Sequence, residues 1–163
     1  MSDENVYGFG IDTLPQGDHL NLGVFRGLPL LVVNVGSTGR YREQIRLLQE
    51  VHEAYGSLGL TVVGVPSFDF GGERGGLADV VARYTYDFRT TFLLSIPARV
   101  GGQRPCPLYR MLTLFESRPV LSDAEKFVID GEGYVSARFG SEVSPKDPTL
   151  LAALKFVLPT MGY

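Results

Sequence analysis

The residues best suited to chemistry are few and scattered along this sequence. It holds one cysteine, Cys106, and two histidines, His19 and His52, which stand far apart. A thiolate is the candidate nucleophile, but no base or helix start is tied to Cys106 by sequence. A free cysteine also packs as an ordinary small apolar residue. The histidines lack the short spacing of zinc ligands, so we expect no bound metal and no cofactor.

One stretch has the form in which many α/β domains build a site. Leu30–Val35 is an unbroken apolar run, which is typical of a strand buried on both faces. The small residues of 36–39 suit a tight turn, and Ile45, Leu48 and Val51 follow at helical spacing. A helix start stabilises a thiolate or an anion through its free N–H groups and partial positive charge. This turn nevertheless contains no cysteine, histidine or carboxylate.

The remaining patterns predict an α/β fold in one domain, residues 1–163. A second buried-strand run at 60–65 would complete a right-handed βαβ unit with parallel strands. The other predicted elements are, in chain order, a hairpin over 6–11 and 19–22, the helix over 42–55, a helix over 77–86, a short helix from 107, strands at 126–130 and 133–139, and a helix over 148–158.

Composition excludes several classes of function. The chain is 44% hydrophobic and 20% charged, with a net charge of −3, which gives no reason to expect binding to nucleic acid or an anionic membrane. No apolar run is long enough for insertion into a membrane. The first residues have neither a secretion nor a transit pattern. We therefore expect a cytoplasmic protein by default, with an organellar location left open.

Three segments resemble the glutathione peroxidase family of the thioredoxin-like superfamily. Val33–Gln44 follows the family motif Val-Asn-Val-Ala-Ser-x-Cys-Gly-aromatic-Thr-x-Gln without a gap. Pro66–Gly72 keeps the proline, phenylalanine and two glycines of Pro-Cys-Asn-Gln-Phe-Gly-Gly, and Lys126–Phe139 follows the pattern Lys-Phe-Leu-Val-Asp-x-x-Gly-x-Val-x-x-Arg-Phe. The resemblance spans residues 6–158. It implies a thioredoxin-like fold with a central mixed sheet flanked by helices and an N-terminal β-hairpin.

The same resemblance implies that the family's chemistry is missing. Members reduce hydroperoxides with a thiolate or selenolate that neighbouring Gln, Trp and Asn donors support. In this sequence the nucleophile's position falls on Gly39, and the Gln falls on Asp69. The Trp-Asn pair falls on Ser122 and Asp123. Several separate losses predict a catalytically inactive member, a pseudoenzyme, linked to the oxidative stress response only by its family.

Three other activities remain open at this point. Cys106 could serve as a substitute nucleophile in a glutathione- or thioredoxin-dependent hydroperoxide reductase. Arg40 and Arg42, at the helix start, could bind an anion or take part in redox sensing with Cys106, although a solvated turn, or an ion pair between Arg40 and Asp69, is the simpler expectation. Asp69 and Asp123 would lie close together and could act as acid and base or hold a divalent cation, but no third ligand is evident.

The predicted function is therefore that of a structural or accessory subunit that acts by protein–protein interaction. Phe68 replaces a polar residue on a glycine-rich loop, and an exposed aromatic beside a shallow hollow suits a partner contact. We expect a protein partner in a larger assembly, and a monomer or homodimer when the chain is isolated.

Overall fold

Seven strands and four α-helices make up the part of the chain that this computed structural model describes, residues 5–160. Residues 1–4 and 161–163 of the predicted domain lie outside that part. In chain order the elements are β1 (Gly10–Asp12), β2 (His19–Asn21), β3 (Leu30–Val35), α1 (Gln44–Tyr55), β4 (Thr61–Pro66), α2 (Leu77–Ala82), β5 (Leu93–Leu94), α3 (Pro107–Leu112), β6 (Lys126–Ile129), β7 (Val135–Phe139) and α4 (Pro148–Val157).

The central sheet is mixed, as predicted. Its strand order is β5-β4-β3-β6-β7, with β3 parallel to β4 and β4 parallel to β5. Strand β6 pairs antiparallel with β3, and the edge strand β7 pairs antiparallel with β6. Strands β1 and β2 form a separate antiparallel hairpin, which confirms the predicted N-terminal hairpin.

The sheet separates two apolar cores, because side chains alternate between its faces. Leu30 and Val32 of β3 pack on one face with α3 and the N-terminal segments. Leu31, Val33 and Val35 pack on the other face with α1, α2 and α4. All six residues of β3 are buried, which explains why its sequence is apolar without alternation.

Several predicted boundaries differ from the structure. The helix predicted over 77–86 is α-helical only to Ala82 and continues as a π-helical turn over Arg83–Asp87, and the strand predicted over 133–139 begins at Val135. The expected strand over 6–11 begins only at Gly10, because Val6–Gly8 form a 3₁₀ turn. The Asn5 side chain caps that turn by accepting a 3.0 Å hydrogen bond from the Tyr7 N–H, so the local polar contact prevails over the alternating pattern. Helix α1 begins at Gln44 and not at 42, after a series of turns.

The carboxyl ends of β3 and β4 lie side by side, since the two strands are parallel neighbours. The loops that leave them therefore meet at one edge of the sheet, where the sequence predicted a site. Among the described residues, no helix is long and apolar enough to cross a membrane.

Candidate functional site

Two loops join directly at the carboxyl edge of the sheet. After β3, Thr38 donates from its backbone N–H to the carbonyl of Gly72 at 2.9 Å, and its hydroxyl donates to the same oxygen at 3.1 Å. After β4, the Ser67 N–H donates to the carbonyl of Val35 at 3.1 Å. These bonds hold the turn after β3 against the glycine-rich loop after β4.

Three glycines form a cradle around one carboxyl group. A Cβ built on Gly36 would lie 2.7 Å from Oδ2 of Asp123, one on Gly39 would lie 3.0 Å from it, and one on Gly72 would lie 2.0 Å from it. Gly36 and Gly72 also approach each other, since the Gly36 Cβ would lie 2.6 Å from the Gly72 Cα. Because none of the three has a side chain, the loops close on Asp123.

The Asp123 carboxyl lies in an unfavourable place for a negative charge. The residue is only 5% exposed, and its Oδ1 has no hydrogen-bond partner among the described residues. Burial raises the pKa of Asp123 to about 6, and the nearby carboxylates of Glu73 and Asp69 add to the rise. Asp123 therefore gains or loses its proton near neutral pH.

A second buried carboxylate, Glu73, is fully engaged. It accepts a 2.9 Å hydrogen bond from the Ser37 N–H, another from the Ser37 hydroxyl, and a 2.6 Å bond from the Tyr84 hydroxyl. Arg83 completes the network with a 3.3 Å ion pair to Glu73 and a 2.7 Å bond to the Ser37 hydroxyl. Burial and the Glu73 charge raise the pKa of Tyr84 well above its usual value. The network ties the turn after β3 to α2 and the residues that follow it.

The Asp123→Asn variant should be more stable than the parent at pH 8 and equally stable near pH 4. The folded-state pKa of about 6 lies above the ordinary value of 3.8, so the contribution of Asp123 to stability is fully present below pH 4 and is lost as pH rises through 6. The neutral amide of the variant does not ionise, so the variant avoids this loss of unfolding free energy, which amounts to about 3 kcal/mol in the parent above pH 7. Urea unfolding of both proteins at several pH values measures the difference between them.

The exposed Asp18 provides the matched control for this experiment. Because its side chain is exposed, we expect Asp18→Asn to change the unfolding free energy at pH 8 by less than about 0.5 kcal/mol. A constant difference between Asp123→Asn and the parent from pH 4 to pH 8 would contradict the raised pKa of Asp123.

Comparison with known proteins decides the family. A family model described as glutathione peroxidase matches residues 6–113 of this chain. The chain belongs to the glutathione peroxidase family. The hydroperoxy fatty acid reductase gpx1 of Synechocystis is 31% identical over 158 residues, which cover 90% of this chain and 93% of that protein. The glutathione peroxidase homolog BsaA of Staphylococcus aureus is 29% identical over 147 residues, with 87% and 92% covered.

Solved structures agree on the fold. The crystal structure of Trgpx in its apo form matches with a TM-score of 0.74 at 23% identity, covering 96% of this chain and 99% of that one. T. cruzi GPX1 matches with a TM-score of 0.72 at 24% identity, covering 93% and 97%. A thioredoxin family protein from Chlorobium tepidum gives 0.71 at 18% identity, covering 98% and 100%. The predicted thioredoxin-like fold is therefore confirmed.

Of the four residues that match the family's catalytic positions, the structure brings only some close together. Gly39 and Asp123 touch within the cradle. Asp69 contributes to the raised pKa of Asp123, but its Oδ2 accepts hydrogen bonds from the N–H groups of Val100 at 2.7 Å and Gly101 at 3.0 Å. Ser122 lies beside the cradle, and its carbonyl accepts a 3.0 Å bond from the Asn34 amide. In the described part of the chain, no three metal-ligating side chains form a group that could hold an ion.

Arg40 and Arg42 lie in the turns that precede α1, and both have partners within the chain. Arg40 is exposed and pairs with Glu142 at 3.7 Å on the surface, so the expected ion pair with Asp69 is wrong and the expected solvated turn is what the structure has. Asp69 is held by the backbone of a neighbouring loop instead, which leaves Arg40 free to reach the carboxylate nearest to it. The Nη1 of Arg42 donates to the carbonyl of Gly39 at 3.1 Å and so helps to fasten the turn.

Cys106 lies on the opposite face of the sheet from α1. It is the N-cap of α3, so the expectation that no helix start adjoins it is wrong, and it packs against the core that contains β3 residues Leu30 and Val32. Burial raises the pKa of the Cys106 thiol, so its thiolate is scarce at neutral pH. The cradle and the thiol are therefore separate features of the molecule.

Sequence reasoning missed several buried charged groups. Glu73, whose charge acts on Asp123, and its partner Arg83 were not singled out, although a glutamate inside a glycine-rich loop was the available hint. Lys126 was read only as part of a strand motif, yet it is fully buried and donates to the carbonyls of Gly140 at 3.2 Å and Ser141 at 3.1 Å. Burial lowers the pKa of Lys126 to about 7.

Proposed function

We propose that this chain is a non-catalytic member of the glutathione peroxidase family that works as an accessory or structural subunit by binding a partner protein. One observation carries this proposal: Gly39 stands at the nucleophile's position and is packed against Gly72 and Asp123. A Cβ on Gly39 would lie 2.9 Å from the Gly72 Cα and 3.0 Å from the Asp123 Oδ2. Any side chain at position 39 would therefore have to displace the Gly72 backbone or the Asp123 carboxyl.

The charges around the cradle also oppose thiol chemistry. A peroxidatic thiolate needs a positive or hydrogen-bond-donating environment that lowers its pKa. Here Asp123, Glu73 and Asp69 bring three carboxyl groups to the same region, and the first has a raised pKa because of the others and of burial. Carboxylates repel a thiolate and accept hydrogen bonds where donors are required.

A second candidate is hydroperoxide reduction by Cys106, since relatives carry names such as hydroperoxy fatty acid reductase. A cavity of about 470 Å³ beside Cys106 favours this alternative, because a peroxide could reach the thiol there. The raised pKa of Cys106 counts against it. Hydroperoxide reduction by Cys106 is therefore the alternative function that an activity assay must distinguish from the non-catalytic one.

That assay follows hydroperoxide consumption by the purified chain, with glutathione or thioredoxin as reductant. We expect the rate to equal the rate without protein for hydrogen peroxide and for an organic hydroperoxide. Cys106→Ser is the matched variant and should behave identically. Turnover by the parent that Cys106→Ser abolishes would overturn the proposal and establish the alternative. The hydroperoxy fatty acid reductase gpx1 of Synechocystis serves as the positive control.

In this proposal the chain acts in the cytoplasm, because a single unpaired cysteine suits a reducing compartment. Isolated from its partner, it is a monomer or a homodimer.

A further inference from the structure

A long groove runs along the α3 face of the molecule. It consists of three adjoining clefts of about 290, 470 and 360 Å³. Pro97 and Ala98 line both the first and the second cleft, while Phe9 and Pro107 line both the second and the third. Because neighbouring clefts share lining residues, they adjoin one another, and we call the row of three clefts the α3 groove.

The α3 groove is apolar along its floor and at both ends. Ile11, Val65 and Leu108 line its deep central cleft. Phe68 lies at one end and is 45% exposed, and Leu114 lies at the other end and is 56% exposed. Contiguous exposed apolar surface of this kind marks an interaction site more often than scattered single residues do. Exposed anchors at both ends suit an elongated occupant better than a compact ligand.

The uncompensated charge beside the groove is positive. Arg99 lines the first cleft and Arg110 the third, and neither side chain makes an ion pair or hydrogen bond with the described residues. The carboxylates of the groove are already engaged, since Asp12 bonds to His19 at 3.0 Å and Asp69 accepts two backbone N–H groups. An acidic partner would therefore find cations without competing internal carboxylates.

We propose that the α3 groove binds an extended segment of a partner protein, with apolar side chains in its middle and acidic residues at its two ends. The inference rests on the proposed function and names the surface and the partner chemistry. The central cleft takes the apolar side chains, and Arg99 and Arg110 bind the flanking carboxylates. Charge attraction sets the orientation and speeds association, while apolar burial holds the segment.

A labelled synthetic peptide tests this surface directly. The probe is fluorescein-Glu-Asp-Leu-Phe-Leu-Asp-Glu-amide, and its matched control replaces every acidic residue by lysine. Fluorescence anisotropy of the full chain at low salt should show binding of the acidic peptide at least about tenfold tighter than of the basic one. Added salt should weaken the acidic peptide's binding, because the ion pairs are exposed.

Three variants locate the binding. The double variant Arg99→Glu/Arg110→Glu should reduce affinity for the acidic peptide about tenfold or more. Ala98→Trp should also reduce affinity for the acidic peptide about tenfold or more, because the larger side chain would occupy space in the two clefts that Ala98 lines. Lys155→Glu on α4 is the control, since Lys155 is exposed on a helix that packs on the other face of the sheet. Circular dichroism confirms that each variant is folded before it is compared.

Equal binding of the acidic and basic peptides, or equal loss with Lys155→Glu, would overturn the α3 groove proposal. A second result would also overturn it: neither peptide binds, but a small apolar dye binds in the groove equally well in the parent and in Arg99→Glu/Arg110→Glu. That result would indicate a small-molecule site. These results leave the non-catalytic function standing, because only hydroperoxide turnover contradicts that function. The two proposals therefore fail separately.

Discussion

Gly36→Ala should lower the free energy of unfolding by about 3 kcal/mol. The added Cβ would lie 2.6 Å from the Gly72 Cα, 2.7 Å from the Gly72 carbonyl oxygen and 2.7 Å from Oδ2 of Asp123. Two of these atoms belong to backbone, so no side-chain rotation relieves the overlap. The loops after β3 and β4 must separate to admit the methyl group. Urea denaturation measures the loss as a lower midpoint at constant slope.

Gly140→Ala is the matched control, since a Cβ there would meet no atom within 4 Å. It should change stability by less than about 0.5 kcal/mol. Gly72→Ala adds a further comparison, because its Cβ would lie 2.0 Å from Oδ2 of Asp123, a side-chain atom. Combining Gly72→Ala with Asp123→Ala should recover part of its loss. Similar small effects of Gly36→Ala and Gly140→Ala would refute the close packing of the cradle.

Arg138→Ala should cost about 3 to 5 kcal/mol, because it leaves a buried carboxylate without its main partner. The Arg138 side chain is fully buried and lies 2.8 Å from Oε1 of Glu125. It also donates to the carbonyls of Phe115 at 3.2 Å, Arg118 at 2.7 Å and Pro119 at 3.1 Å. Its loss therefore strands several acceptors along the single segment, residues 115–125, that leads into β6.

The control for this prediction is Lys146→Ala, which removes a half-exposed pair with Glu50 at 3.1 Å. Exposed pairs of this kind contribute less than about 1 kcal/mol. Glu125→Gln in the Arg138→Ala background should recover part of the stability, since the stranded charge is then removed. If Arg138→Ala and Lys146→Ala had equal effects on the midpoint of unfolding, the buried network would not contribute as described.

Periodicity predicted the elements that local physics determines. The apolar run of β3 could only be a strand buried on both faces, and the hairpin turn at 130–133 carries residues that adopt the required backbone, including Gly133 at φ +90°. The 3₁₀ turn at Val6–Gly8 escaped this reasoning because one capping contact from Asn5 outweighs a weak alternating pattern. The ends of helices and strands depend on such single hydrogen bonds, whereas a buried strand such as β3 is stabilised by many contacts.

The candidate site was predictable only in part. The turn at 36–39 was located from its small residues, but the partners of Glu73 come from Ser37 and Arg83, which are distant in sequence. Arg40 illustrates the same limit, because an exposed flexible cation pairs with whichever carboxylate the fold brings nearby, here Glu142. Ion pairs between residues far apart in the sequence depend on the tertiary structure, so no local sequence pattern predicts them.

The contact between Gly39 and Gly72 bears on how this lineage can evolve. Two of the four glycine codons, GGU and GGC, differ from a cysteine codon by one nucleotide. A Cβ at position 39 would nevertheless lie 2.9 Å from the Gly72 Cα and 3.0 Å from an Asp123 oxygen. A cysteine introduced there alone would strain the contact between the two loops, so a well-tolerated thiol at this position requires a compensating change in a neighbouring residue as well.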